Sequence, residues 1–258
     1  VRDAAGSGAR DDVRLVGEGA VRRLLLPLLD SMPGLVHGFT VIGSDADAAV
    51  ASAAGRPRPL ATLRQVHGRV VRWIEPGDPL AVGDARPDGD AILTARRDVA
   101  LGVATADCVP ILLADERGRL IGAVHAGWRG TVASVLPAAL EALRTRGADL
   151  ERIRVGMGPC IGPCCFEVGD EVVEAIVRAD PGGAGAVMRS PGARAKVDLA
   201  LLLRRQALRA GVPDGNIAAA SLCTVCRGDL LESYRRSGGR PGRMIAFVAW
   251  RSDPPLTS

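Results

Sequence analysis

Short apolar runs divided by turn residues dominate the middle of the chain. Val70–Ile74, Ala91–Thr94, Val99–Ala104, Val109–Ala114 and Leu120–His125 have the length and composition of strands. Between the last two, Asp115–Glu116–Arg117–Gly118–Arg119 predicts a hairpin turn. The period then changes. Val132, Val135, Leu136, Leu140 and Leu143 recur at helical spacing and predict a helix over 131–146. Phe166–Ala179 is a second predicted helix. Leu199–Ala210 is a third, with Asp198 as its N-cap and Gly211 closing it. Arg243–Trp250 reads as a final apolar strand. Strands come in clusters with helices after them, which favours an α+β or layered α/β/α arrangement over a strictly alternating one. Residues 1–14, rich in Gly, Asp and Arg, are expected to form a disordered tail. Without a linker or an internal repeat beyond it, 15–258 is expected to be one domain.

Composition narrows this picture. With 47% hydrophobic but only 3% aromatic residues, the 258-residue chain must build an aliphatic core. Its net charge is +4, its arginines are dispersed among acids, and Lys196 is the only lysine. That lacks the basic stripe with interleaved aromatics of a nucleic-acid binder, so no nucleic-acid partner is expected. The longest leucine-rich run, Leu24–Leu29, falls far short of the roughly 20 residues that span a bilayer. No secretory signal is visible at the start. A cytoplasmic setting is therefore expected, without membrane partners, as a monomer or homodimer. There the six cysteines would be reduced and available for metal ligation or catalysis.

Two of the three histidines lie in small-residue turns beside strands: Gln65–Val66–His67–Gly68 and His125–Ala126–Gly127–Trp128–Arg129–Gly130. Cys108 lies between them, in Thr105–Ala106–Asp107–Cys108–Val109–Pro110, at a break between two predicted strands. Two imidazoles and one thiolate suit zinc, and three dispersed ligands leave the open position of a catalytic site. Taken singly, each histidine reads as readily as a core or surface residue. The other cysteines leave several readings. Cys160, Cys164 and Cys165 cluster, and Cys223 and Cys226 form a Cys-x2-Cys pair. They could make a four-thiolate structural zinc site or a redox pair, but the irregular spacing favours small apolar core residues.

These stretches, together with Asp88–Gly89–Asp90–Ala91, Gly158–Val168 and Ser233–Tyr234–Arg235–Arg236, occur in an order that resembles the YfiH family, also called the laccase-domain or polyphenol oxidoreductase family. The likeness runs from about Gly34 to Trp250. It implies a layered α/β/β/α fold. It implies a metal site of His67, Cys108 and His125, which are then also the catalytic residues. It implies purine nucleoside phosphorylase activity on adenosine, inosine or methylthioadenosine, with adenosine deamination beside it. Two places depart from the family pattern. Val41–Ile42–Gly43–Ser44–Asp45 replaces an Arg and a Gly-Gly-Val-Ser run, and Glu232 replaces an apolar or aromatic residue.

The laccase name can be tested by counting. A multicopper oxidase needs a trinuclear cluster held by many imidazoles, and His37 is the one histidine left over. Zinc is the expected cofactor, with a single copper in the same trio the alternative. For deamination, Asp107 and Glu167 are candidate proton carriers, although Asp107 also reads as a turn cap. For phosphorolysis, Arg129 beside a predicted helix start is the candidate phosphate anchor, in competition with Arg64, Arg235, Arg236 and Arg243. Gln65 could hydrogen-bond a purine edge or order its loop. The rival readings are a metal-free cysteine hydrolase or a peptidoglycan-precursor editing enzyme using Cys108, and a non-catalytic metal clip.

Overall fold

The computed structural model describes residues 13–80, 83–117 and 120–251. Its centre is a pair of stacked sheets. One orders Arg14–Val16, Arg23–Leu25, Leu35–Thr40, Met244–Trp250, Ala100–Thr105 and Leu60–Ala61. The other orders Ile217–Ala219, Ile153–Met157, Val109–Asp115, Ile121–Ala126, Ala91–Thr94 and Val71–Ile74. A small third sheet joins Glu167–Val168, Ala195–Val197 and Val187–Met188.

Side-chain alternation explains why the central strands carry unbroken apolar runs. Along Val109–Asp115, Val109, Ile111 and Leu113 face one core while Leu112 and Ala114 face another. Ala91 and Leu93 oppose Ile92 in the same way. A strand buried on both faces needs apolar residues at every position. The core between the sheets holds Phe39, Ile92, Leu101, Leu112, Ile121 and Val248. Outside the second sheet, helices Val135–Thr145, Asp170–Ala179 and Leu199–Ala210 bury Leu136, Leu140, Val173, Ile176 and Leu203. Outside the first, helix Ala46–Ala54 buries Ala49, Val50 and Ala53 against Val36, Phe247 and Ala249. The result is one compact domain with the α/β/β/α layering that the resemblance implies.

The predicted strands are found, with boundaries shifted by about one residue. The hairpin joining Val109–Asp115 to Ile121–Ala126 is antiparallel as expected, although Gly118 and Arg119 of its turn lie outside the described residues. Asp198 accepts from the Leu201 amide and Gly211 closes its helix in the left-handed conformation, as predicted. Two helices need correction. The one expected over 131–146 is split into Trp128–Val132 and Val135–Thr145, because Ser134 takes a left-handed φ of 65°. The one expected from Phe166 begins only at Asp170, because Glu167–Val168 pairs with Ala195–Lys196 as a strand. Residues 1–12 of the expected tail lie outside the described residues, and Arg14 already belongs to a strand. Among the described residues, no helix is long and apolar enough to cross a membrane.

Candidate metal centre

Register brings the site together. Pro110 pairs with His125 and Val109 with Ala126, so Cys108 emerges just beyond that ladder. Ala91 pairs with Val124, which sets Asp90 beside His125, and the His125 amide bonds the Asp90 carbonyl at 2.7 Å. Val71 pairs in parallel with Ala91, so the His67–Gly68 loop enters the sheet at the same end. Cys108 itself sits where the chain crosses from the first sheet (Ala100–Thr105) to the second (Val109–Asp115). One ligand atom from each of His67, Cys108 and His125 lies within 4.8 Å of the others. The two imidazoles meet edge to face at 4.8 Å.

Asp90 organises this end and is fully buried. Its Oδ1 lies 2.9 Å from His125 Nδ1 and accepts from the His67 amide at 2.9 Å, while Oδ2 accepts from the Gly68 amide at 2.7 Å. Those amide bonds hold His67 at its left-handed φ of 59°, a conformation that needs such support. With Nδ1 donating to a carboxylate, His125 presents Nε2 to the site, the usual carboxylate–histidine arrangement behind a metal. The ordered family motifs contain Asp90, but its positioning role was not read from them. A buried acid needs a buried partner, and that partner is visible only across the strand pair.

Burial works against charge on all three polar partners, and the contacts overcome it. Hydrogen bonds with His125 and His67 bring the Cys108 thiol down to about 7. Those with Asp90 and Cys108 raise His125 to about 9. Asp90 is held below its ordinary value by His125 and the Gly68 amide. Both shifts run toward the charged forms, thiolate and imidazolium, and a cation bound there would take the place of the displaced protons. The backbone leaves room for this. A Cβ on Gly127 would come within 2.9 Å of Cys108 Sγ and 3.3 Å of a His67 ring carbon.

The remaining predicted residues fall in different places. Gln65 is engaged at both ends of its amide by the Ala104 backbone, at 2.8 Å each, which orders the loop before His67. Asp107, at a φ of 95°, accepts from the Thr224 hydroxyl on Oδ1 and from the Arg235 amide on Oδ2, while its carbonyl takes the Ile161 amide. It thus ties three segments to the residue before Cys108. Glu167 is exposed on its strand, 3.8 Å from Lys196. Arg129 is exposed at the start of a five-residue helix, its guanidinium 4.4 Å over the Trp128 ring. Its competitors are mostly engaged. Arg64 pairs with Asp88, Arg235 bonds the Cys165 and Glu167 carbonyls, and Arg236 bonds those of Thr224, Val225 and Leu231. The two atypical stretches have structural employment. Asp45 caps helix Ala46–Ala54 through the Ala48 amide, and Glu232 accepts from the Gly242 amide. Of the other cysteines, Cys160 alone is a core residue. The expectation of core roles fails for Cys164, Cys165, Cys223 and Cys226, which converge near the surface instead.

A sequence model of the family described as multi-copper polyphenol oxidoreductase laccase matches residues 44–251. The chain belongs to this family. Its relatives include a protein named adenosine deaminase RL5, from an unknown prokaryotic organism, 42% identical over 62% of this chain and 61% of that protein, just under two thirds of its length. Purine nucleoside phosphorylase YlmD of Geobacillus stearothermophilus is 36% identical over 73% of this chain and 71% of its own. The crystal structure of that YlmD superposes with a TM-score of 0.80 at 28% identity, over 94% of this chain and all of the other. The Bacillus licheniformis hypothetical protein YfiH does so at 0.78 and 26%, over 90% and 97%. The histidines of this sequence do not by themselves make up a multicopper centre. Its third histidine, His37, is buried in the first sheet and accepts the Leu26 amide on Nε2 at 3.0 Å. Within the chain, no further imidazole is left for a trinuclear cluster.

Proposed function

We propose that this chain is a zinc-dependent purine nucleoside phosphorylase acting on adenosine, inosine and methylthioadenosine, with adenosine deaminase activity. The observation that carries the reading is the convergence of His67, Cys108 and His125 with the buried Asp90 behind them. Two nitrogens and one sulfur are a zinc donor set, and three ligands leave a position for substrate. The same donors admit a single copper. A bound ion supplies Lewis acidity at that open position.

The chain's own groups supply positioning. Asp90 fixes the His125 tautomer and ring plane. Asp107, with its oxygens taken by Thr224 and Arg235, holds the Cys108 turn. Arg129, stacked on Trp128 and four residues after His125 in sequence, is the cation we assign to an attacking phosphate. Phosphorolysis breaks the C1′–N glycosidic bond as a phosphate oxygen attacks C1′, and the released base takes a proton. Deamination adds water at C6 and releases ammonia. The names of the relatives support both reactions.

Incubating the purified protein with adenosine, with and without phosphate, tests this. Phosphate-dependent release of adenine supports phosphorolysis, and phosphate-independent formation of inosine supports deamination. Neither product, or full activity in a metal-free Cys108→Ala variant, overturns the reading.

One observation favours a second reading. Cys108 Sγ lies within 4.8 Å of an imidazole nitrogen of both His67 and His125, and its thiol is shifted down toward the thiolate, as an activated cysteine nucleophile requires. A cysteine hydrolase, including one that edits peptidoglycan precursors, would keep its activity after chelation and lose it on alkylation. The zinc enzyme loses activity on chelation.

A further inference from the structure

Four cysteines away from that centre meet at one point. Cys164 and Cys165 lie in a tight turn in which the Cys165 and Phe166 amides both bond the Gly162 carbonyl. Cys223 and Cys226 flank a second turn, closed by the Arg227 amide on the Cys223 carbonyl. The segments are joined side by side. Cys160 and Cys223 form a parallel bridge, the Thr224 amide bonds the Cys160 carbonyl, and the Gly162 amide points at Cys223 Sγ, 3.3 Å away.

All four sulfurs lie within 4.8 Å of one another. Cys226 Sγ is 3.7 Å from Cys164 Sγ and 3.5 Å from Cys165 Sγ. Sulfurs at about 2.3 Å from a tetrahedral zinc stand about 3.8 Å apart, whereas a disulfide needs about 2.05 Å. The spacing is that of a coordination shell. Core filling does not account for it, because Cys164 and Cys226 are exposed and Cys165 and Cys223 half-buried. Two cations sit on the turn that carries two of the sulfurs: the Lys196 ammonium donates to the Cys164 carbonyl at 3.0 Å and Arg235 to that of Cys165 at 3.3 Å. A four-thiolate zinc carries two net negative charges, which such neighbours offset.

We propose that Cys164, Cys165, Cys223 and Cys226 form a second metal site, a closed four-thiolate zinc site with a structural role. Binding forms four Zn–S bonds and releases the thiol protons to water, with no oxidation. The site clasps 160–168 to 221–227. Thr224, between two of its ligands, is fully buried and donates to Asp107, the neighbour of Cys108. The clasp thus steadies the wall of the first centre without contributing to its donor set, and it stands whether or not that centre acts on nucleosides.

Zinc content per chain tests the proposal. Protein purified under reducing conditions and equilibrated with zinc should hold about two ions per chain, one for each site. Cys226→Ser and Cys164→Ser should each lower this to about one, as should Cys108→Ala acting on the other site. Cobalt(II) loaded into Cys108→Ala reads the second site with its four ligands intact, so misfolding of a variant within the four-cysteine cluster does not cloud the result. It should give the intense charge-transfer and visible bands of tetrahedral thiolate coordination. About one zinc in the wild type that Cys108→Ala abolishes, a zinc content untouched by Cys226→Ser, or a cobalt spectrum without thiolate bands overturns the proposal. So does a disulfide among these four cysteines in the zinc-equilibrated protein.

Discussion

The two sulfur-containing centres differ in donor set, in the number of donors and in what holds them, the features that separate an open metal site from a closed one. Cys108 and His125 stand at the end of a strand pair with the His67 loop beside them, and the trio mixes nitrogen with sulfur and has a buried carboxylate behind one imidazole. The four cysteines stand in two turns, offer only sulfur, and have Lys196 and Arg235 bonded to the carbonyls of one of those turns. Three ligands leave a position open and four close the shell. A sheet end gives rigid placement to ligands that must hold an open geometry. Two turns gain their rigidity from the ion itself.

The sharpest way to break this contrast is to remove a ligand from each side. Cys108→Ala should take nucleoside turnover to background while leaving the melting temperature close to the wild type. Cys226→Ser should do the reverse, lowering the melting temperature by several degrees while part of the turnover survives. Calorimetry and product analysis on the same samples check both. Identical profiles for the two variants would erase the distinction.

A smaller effect should follow from Asp90→Asn, which keeps the shape but removes the charge that orients His125. Metal affinity at the first centre should fall about 10–100-fold, with the four-cysteine site unchanged, as measured by competition with a chromophoric chelator. Gly127→Ala comes next. Its Cβ would press on Cys108 Sγ at 2.9 Å, an overpacking worth about 1–3 kcal/mol. Titration of zinc into the metal-free variant should show weakened binding at one site of the two.

The smallest effect on the contrast is a control from His37. Burial lowers its pKa to about 4, and its Nε2 already accepts the Leu26 amide. The unfolded chain takes up a proton near 6.5 that the folded chain refuses until about pH 4. Stability is therefore full above pH 6.5 and falls as pH drops from 6.5 to 4, by about 2 kcal/mol at pH 5. Denaturant unfolding of the metal-free protein should show this slope, and His37→Gln should flatten it. A slope that persists in that variant would assign it to other groups, the first centre among them.

Much of the scaffold was legible because it is local. The doubly buried strands announce themselves as unbroken apolar runs, and Asp198 and Gly211 mark their helix ends by chemistry that acts within one turn. Where a neighbour far along the chain decides, reading failed. Glu167–Val168 looks like the first turn of a helix until Ala195–Val197 pairs with it. The break at Ser134 interrupts a helical period that its flanking residues carry on both sides. The N-terminal strands Arg14–Val16, Arg23–Leu25 and Leu35–Thr40 were not singled out from the sequence.

The sequence by itself determined the central strands, the α+β character and, through the family resemblance its ordered motifs carry, the membership of His67, Cys108 and His125 in one group. Local periodicity and motif order are carried by neighbouring residues and survive without a fold. Only the tertiary structure decided that Asp90 stands behind His125, that Gln65 and Asp107 are held by backbone and loop partners, and that two cysteine pairs some 60 residues apart share one point. Those facts depend on strand register and on which loops meet across the sheets. No short window of sequence encodes a distance between residues that far apart.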